Sequence, residues 1–470
     1  MFSRLPLRPA LAAATLLISV ACVDESLTPR YETTSRVRVP QLPAAKTISD
    51  RHLVAFTTKE PAGFQKAVQA LGGKVERRQK EIGVAEVSGL TDAAAATLAK
   101  AAGIVRIDRD RFVQWIPPAD QANVQLAETT ARIPRGPATQ GTDQSSAFFF
   151  PIQWNIRQVD ADKAWGATSG GAGKTVCLLD TGIDPQHIDL EGRVDLMVSV
   201  ISAPLFPGDL DPFDHHFHGT FTSGIIATNG IGVASVAPDA RLCSIKVLRV
   251  DGTGSFGDII TGIIVAVLSG ANVINMSLSA YIDKTLPGVE GLRVVLNRAV
   301  ALARDQGVVV VAAAGNDSAN LNDNGNLIVL PAETKGVISV GATAPFNQQN
   351  FDMLASYSNF GNSGVDLFAP GGDLLPGGSV FDLVIGPCSH FSLTLPFDCS
   401  KTSFLFVSGT SASAPHVAAA AAVVEAEFPG AGPKRIEACI RQNTDIIGPA
   451  RVFGAGRLNV LEAAACNNTP

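Results

Sequence analysis

The chain has 470 residues, of which 46% are apolar and 17% charged, with a net charge of −6. That balance excludes an intrinsically disordered protein and is enough for a large buried core shared by more than one domain. No long basic block is present, so nucleic-acid binding has no electrostatic support.

The chain opens MFSRLPLRPALAAATLLISVAC, with Arg4 and Arg8 ahead of an apolar run from Ala10 to Val20. That run is too short to span a bilayer and small residues follow it, so residues 1–22 read as an export signal. A secreted, extracellular or periplasmic location follows. The segment ends at Cys22 in a pattern that resembles the lipobox of bacterial lipoproteins, with Ser19 where that pattern prefers Leu. A lipid anchor at Cys22 and ordinary cleavage nearby are the two alternatives. No other stretch reaches the roughly twenty apolar residues a membrane span needs. Residues 23–45 are polar and read as a tether.

From 46 to 115 the pattern changes. HLVAFT reads as a strand, AGFQKAVQALGG as a helix closed by glycine, KVERRQ and GVAEVSG as strands, TDAAAATLAKAAG as a capped helix and IVRIDRD as a last strand. The β-α-β-β-α-β order predicts a small ferredoxin-like α+β domain. Residues 116–147, rich in Pro, Gln, Thr, Ser and Gly, read as a linker.

A second domain is expected over 148–470. TVCLLDTG, ARLCSIKVL, ANVINMSLS, GVVVVAAAGN, GVISVGAT and VDLFAPGG are short apolar runs rich in Val and Ile. Helical stretches such as DIITGIIVAVLSG and LRVVLNRAVALARDQG alternate with them. The alternation predicts an α/β domain, a parallel sheet with helices on both faces. In such sheets function gathers at the C-terminal strand ends, and several runs end in polar residues: Asp180, Ser277 and Asn316. The near-miss TSGGAGKT lacks the first glycine of a P-loop (Thr168 stands there) and precedes a strand instead of following one, which argues against nucleotide binding.

Setting Cys22 aside, six cysteines remain, an even number suited to an oxidising compartment. Cys388 and Cys399 bracket one loop and Cys439 and Cys466 flank the C-terminal segment, so these are the favoured pairs. Cys177 and Cys243 sit in apolar strand-like runs and are expected as buried thiols. No C-x-x-C, zinc or haem pattern is present.

Four short segments carry chemistry. LLDTGID ends a strand at Asp180. DHHFHGTFTSGIIA puts His218 at the start of a small-residue helix, GVVVVAAAGND puts Asn316 at a strand end, and FVSGTSASAPHV puts Ser411 at a loop-to-helix junction. Singly, Asp180 could be a cap, His218 a loop histidine, Asn316 a turn residue and Ser411 an N-cap. Together they supply a carboxylate, a base, an amide donor and a nucleophile in the chain order Asp, His, Ser.

These segments resemble the subtilisin-like serine peptidases (subtilases, peptidase S8). The matching pieces are D-T-G-I-D at 180–184, H-G-T-F-T-S-G at 218–224, A-A-G-N at 313–316, G-T-S-A-S-A-P at 409–415 and the closing GAGRLNVLEAA at 454–464. Residues 46–115 resemble the inhibitory propeptide (inhibitor I9 type) of the same family. The resemblance implies a subtilisin-like fold and a secreted or surface-tethered serine endopeptidase, monomeric, acting on proteins and peptides and made as a self-inhibited, self-processing precursor. It implies catalytic roles for Asp180, His218, Ser411 and Asn316 and no catalytic cofactor. Gly252 and Gly254 look like the edge that pairs with substrate. Ser277, Leu278 and Ser279 look like one wall of the specificity pocket and Ala313, Ala314 and Gly315 like the other. Val329 is expected at the pocket base, where many members carry Gly, which would make the pocket shallow. A structural Ca²⁺ is implied at Asp189 and Asn229 with the carbonyls of Ile231 and Val233. The first cut is expected near Trp115–Ala119, with trimming toward Ser145–Phe150.

The departures are few. Thr222 and Ser223 stand where the family's His motif has Val and Ala, Ser413 stands where Ala is common, and residues 374–405 form an insertion ahead of the nucleophile. His215 and His216 read as solvated loop residues. Two alternatives remain: a catalytically inactive homologue acting as a binding protein, and a lipase or esterase. The latter prefers G-x-S-x-G and the order Ser, Asp, His.

Overall fold

The computed structural model describes residues 50–116, 124–127 and 143–467. The export signal, Cys22, the tether and most of the 116–147 linker lie outside the described residues.

The N-terminal unit runs β1 (Arg51–Phe56), α1 (Phe64–Ala70), β2 (Lys74–Gln79), β3 (Val84–Ser88), α2 (Asp92–Leu98) and β4 (Ile104–Arg109). The strands form one antiparallel sheet in the order β2-β3-β1-β4, the split β-α-β-β-α-β arrangement expected from the sequence. Thr91 starts α2 by accepting the Ala94 N–H on its side chain (3.1 Å). Alternation along β1 divides its side chains between two cores. Val54 and Phe56 pack with Phe64, Val68 and Leu98 inside the unit. Leu53 and Ala55 join the core of the larger unit, beside Ile260 and Leu292. The strand is therefore buried on both faces, and the small sheet docks as a lid.

After β4 the chain forms β5 (Phe112–Gln114) and, further on, β6 (Gln125–Ala127). The larger unit follows: α3 (Trp154–Gln158), α4 (Ala161–Trp165), β7 (Thr175–Asp180), β8 (Val194–Ser199), α5 (His218–Ile226), β9 (Arg241–Lys246), β10 (Thr253–Ser255), α6 (Phe256–Leu268), β11 (Val273–Met276), β12 (Ala280–Asp283), α7 (Val289–Asp305), β13 (Val309–Ala313), β14 (Leu327–Leu330), β15 (Val337–Phe346), β16 (Gln349–Leu354), β17 (Leu367–Pro370), β18 (Val384–Pro387), β19 (Phe404–Val407), α8 (Thr410–Glu427), α9 (Gly432–Gln442), α10 (Ala450–Phe453) and α11 (Val460–Ala465). Eight strands make the central sheet, ordered β16-β15-β13-β11-β7-β9-β8 with β17 also on β15. All its pairs are parallel except β15–β16. Period-2 alternation again divides the cores. Cys177 and Leu179 of β7 face the layer of α6 and α7, while Val176 and Leu178 face that of α8, α9 and α11.

Two sequence expectations need correction. Cys177 and Cys243 are not thiols but a disulfide. They are Cα partners on the adjacent strands β7 and β9, 4.4 Å apart and on the same face, which is within bridging range. The expected pairs Cys388–Cys399 and Cys439–Cys466 are both formed. The linker also carries structure: β6 pairs antiparallel with β19 (Gln125 opposite Phe406). Gln144 is fully buried, accepting Ser235 N–H (2.6 Å) and donating to Thr228 O (2.7 Å). No helix of the described residues is long and apolar enough to cross a membrane.

Candidate active site

Three adjacent parallel strands, β7, β11 and β13, end at one edge of the sheet and deliver Asp180, Ser277 and Asn316 there. Helices α5 and α8 start at the same edge with His218 and Ser411. Asp180 is 1% and His218 6% exposed, so their contact is shielded from water. The His218 Nδ1 lies 2.8 Å from Asp180 Oδ1, which fixes that nitrogen as the protonated one, since a carboxylate only accepts. Asp180 Oδ1 also accepts the Thr181 N–H (2.7 Å), and Oδ2 accepts from Thr222 Oγ1 (3.3 Å). The two hydroxyls that depart from the family motif are thus satisfied: Thr222 reaches Asp180, and Ser223 donates to Gly219 O (2.6 Å).

Ser411 is the second residue of α8, where a backbone N–H has no intrahelical acceptor. Its hydroxyl donates to Ser277 O (3.0 Å), and Ser277 Oγ donates back to Ser411 O (2.8 Å). The hydroxyl of the nucleophile candidate is therefore parked on the backbone of Ser277. Asn316 is oriented without ambiguity. The Thr410 N–H, an obligatory donor, and the Thr410 hydroxyl both point to Asn316 Oδ1 (2.9 and 2.8 Å), so Nδ2 faces the other way. At Gly409, φ is +150°, and a Cβ built there would sit 3.6 Å from both Asn316 Nδ2 and Ser411 N. Two N–H donors thus flank one point that a side chain would otherwise fill.

The expected substrate edge is occupied by the chain itself. β5 pairs antiparallel with β10, Val113 opposite Gly254 and Gln114 opposite Thr253. The N–H groups of Trp115 and Ile116 reach Gly252 O (3.2 and 3.4 Å), Ser279 N donates to Trp115 O (3.0 Å), and the Trp115 indole N–H donates to Gly254 O (3.0 Å). Gly252 holds a left-handed φ of +75°, and a Cβ there would lie 2.6 Å from Ile116 Cγ1. Residues 112–116 so run between Gly252–Gly254 on one side and Ser279 on the other. Leu278 is buried beside them. Ala313 and Ala314 end β13, and Gly315 N–H bonds Thr410 Oγ1 (3.2 Å). Val329 is fully buried in β14, paired with Tyr281 of β12.

The residues proposed for calcium come together, but their donor chemistry does not fit a cation. Asp189 is fully buried and accepts the N–H groups of Ile231, Gly232 and Val233 (2.7, 3.0 and 2.9 Å). The carbonyls of Ile231 and Val233 already accept from Phe148 N–H (3.0 Å) and Thr228 Oγ1 (2.8 Å). Asn229 donates to Ile188 O and Glu191 O, and its Oδ1 accepts from the Arg193 guanidinium (2.8 Å). Arg193, 5% exposed, also donates to Pro238 O (2.5 Å). The Asn229 side-chain oxygen, one of the expected ligands, is thus already taken by a positive charge. Burial pushes the Asp189 carboxyl up to about 6 in spite of its three N–H donors. Among the described residues no group of three or more His, Cys, Asp and Glu is placed to hold a metal ion.

The histidines before His218 are not solvated. His216 is 1% exposed, stacked on Phe217 (4.7 Å between ring centroids), and burial holds its pKa down to about 3. His215 is half-buried against Asp211 (3.0 Å). The sequence reading missed their organiser, Asp214. It is fully buried and accepts the His216 and Phe217 N–H groups, the Thr181 hydroxyl and both donors of Thr220. An acidic residue heading a turn shortly before a helix start was the available signal.

This fold, a mostly parallel sheet with helices on both faces, is subtilisin-like. A family model described as the subtilase family matches residues 171–456. A thermophilic serine proteinase from Bacillus sp. (strain AK1) is 32% identical over 323 residues, 68% of each chain. Subtilisin BL from Lederbergia lenta is 33% identical over 67% of this chain and 98% of its own. Among solved structures, the epidermin leader peptide processing serine protease from Staphylococcus aureus shares the fold, with a TM-score of 0.69 over 90% of this chain and all of its own at 22% identity. The chain belongs to the subtilase family and is a subtilisin-like serine-type endopeptidase.

Proposed function

We propose that the protein hydrolyses peptide bonds through Ser411, His218 and Asp180, with Asn316 and the Ser411 N–H as oxyanion donors, and that it is made as a self-inhibited precursor. The supporting observation is the pair of donors converging at Gly409 beside the buried Asp180–His218 contact. Ser411 leaves its resting bond to Ser277 and attacks the scissile carbonyl while His218 Nε2 removes its proton. Asp180 holds the tautomer and stabilises the imidazolium. Charge developing on the carbonyl oxygen meets Asn316 Nδ2 and the Ser411 N–H at the positive end of α8. His218 then protonates the leaving amine, and water repeats the sequence in reverse. His218 receives and returns each proton that moves, from Ser411 to the leaving amine and from water back to Ser411, so the chemistry needs no cofactor.

Substrate is held as residues 112–116 are held, an added antiparallel strand on β10. Such main-chain pairing accepts many protein and peptide sequences. The N-terminal unit is on this reading the inhibitor. Its sheet packs on α6 and α7 while its outgoing strand fills the cleft. Export, processing near Trp115–Ala119 and near Ser145–Phe150, a monomeric state and a lipid anchor at Cys22 belong to the same proposal.

Labelling with a fluorophosphonate and hydrolysis of casein test it. The parent should react and digest, and a Ser411→Ala variant should do neither. Casein digestion by the folded Ser411→Ala variant would remove Ser411 as nucleophile.

A further inference from the structure

We propose that the loop closed by the Cys388–Cys399 disulfide is a positioning device for His218, a strap across the segment that carries it. This rests on His218 being the general base. The residue before it, Phe217, has φ +128° and ψ −26°, a conformation that side-chain-bearing residues avoid, and it forms the N-cap of α5. Such a backbone persists only where its surroundings over-determine it. Asp214 supplies part of that restraint from within the segment.

The strap supplies the rest from outside. Ser389 Oγ donates to Asp214 O (2.6 Å), and Leu393 N–H to His215 O (2.9 Å). Ser392 Oγ and Thr394 Oγ1 both donate to His216 O (2.6 and 2.8 Å). Three successive carbonyls ahead of Phe217 are therefore fixed by one loop. In return His215 Nδ1 bonds Phe391 O (3.2 Å), and the Phe213 and Phe391 rings stack at 4.6 Å.

The same loop also holds the Asp180 side of the site. His390 reaches Asp184 Oδ2 through its backbone N–H and Nδ1 (3.1 and 2.6 Å), and Asp184 is fully buried four residues after Asp180. Cys388 and Cys399 pack in the same apolar cluster as Phe217, Phe221 and Trp154. The strap thus ties the segments leading out of Asp180 and into His218 to one covalently closed element. Losing it should let Phe217 relax and His218 drift from its reactive placement, while the edge that binds substrate backbone, β10, is untouched.

The test expresses three chains at full length and assays each after processing: the parent, Cys388→Ser/Cys399→Ser, and Ser392→Ala/Thr394→Val. The last keeps the disulfide and removes only the two donors to His216 O. For both variants kcat should fall about tenfold, with KM within about twofold of the parent, because a small misplacement of a catalytic group costs up to ~10²-fold in rate. Fluorophosphonate labelling should slow in parallel. A kcat within about twofold of the parent in Ser392→Ala/Thr394→Val overturns the proposal, even if the cysteine variant fails to fold. That result would leave the triad reading intact, since the latter fails only if Ser411→Ala remains active.

Discussion

Asn316 does two separable things, and one substitution pair can pull them apart. Nδ2 points to the gap at Gly409, whereas Oδ1 accepts both donors of Thr410 at the start of α8. Asn316→Ala removes both. Losing the oxyanion donor should lower kcat by about 10²–10³, or roughly 2.7–4 kcal/mol, a magnitude established on subtilisin itself. Losing the acceptor strands the N–H of a fully buried Thr410, which costs stability by about 1–3 kcal/mol. Asn316→Asp keeps the acceptor and places a carboxylate where the oxyanion forms. Its kcat should fall at least as far, with most of the stability retained. The assay is turnover of a chromogenic peptide, corrected by active-site titration, with KM and thermal midpoint measured in parallel. KM should stay nearly constant, because the donors act on charge that the bound substrate lacks. If both variants fold and retain kcat within about threefold of the parent, Asn316 is not an oxyanion donor.

Three further outcomes are expected. Ser411→Ala should accumulate as the unprocessed chain on a gel, and a processed band at the parental level would show that another protease makes the cut. Inhibition by the N-terminal fragment 46–118 should be pH-dependent through Asp110. Burial pushes this carboxyl up to about 7 against the opposing pull of Arg51, with Glu86 and Asp258 raising it further. Its proton is held more tightly in the complex than in the released fragment, so inhibition should weaken as pH rises from about 4 to about 7. Asp110→Asn should flatten the curve, and inhibition that tightens with rising pH in the parent fragment contradicts the assignment. Finally, Arg193→Ala should lower the thermal midpoint, while EDTA should leave the parental midpoint unchanged. An EDTA-induced drop that Asp189→Asn abolishes would put a cation back at that site.

What the sequence disclosed and what it withheld divide by the range of the interactions. Apolar runs such as TVCLLD and GVVVVAA mark strands because both faces of a parallel sheet are covered. The strand count and alternation of 51–109 were legible for the same local reason. Cys177–Cys243 was not, because pairing depends on the register between β7 and β9, which lie 66 residues apart in sequence. The burial of His216 was not legible because the 388–399 loop, which bonds its carbonyl, packs on this segment along a path that nothing local reveals. The calcium expectation followed from Asp189 and its glycine-containing loop. Only the fold brings Asn229 and Pro238 onto Arg193, whose charge then takes the Asn229 oxygen. In the linker, β6 gains its meaning from β19, nearly three hundred residues away in the chain.

The meeting of the candidate site's residues was legible because their placement repeats one local rule. Asp180, Ser277 and Asn316 each end an apolar run, and parallel strands place all such ends on one edge. Their strands β7, β11 and β13 are neighbours, so three polar residues separated by about a hundred and forty positions in sequence fall side by side. The rule does not supply the side-chain orientations. Those come from second partners with no periodic signature: Thr410 turns the Asn316 amide, Asp214 and Thr181 shape the turn before α5, and Ser277 parks the Ser411 hydroxyl. A motif therefore identifies which groups meet, while their poise depends on contacts drawn from elsewhere in the chain. On the His218 side those contacts are backed by the 388–399 loop, which fixes the carbonyls of Asp214, His215 and His216 from outside the segment.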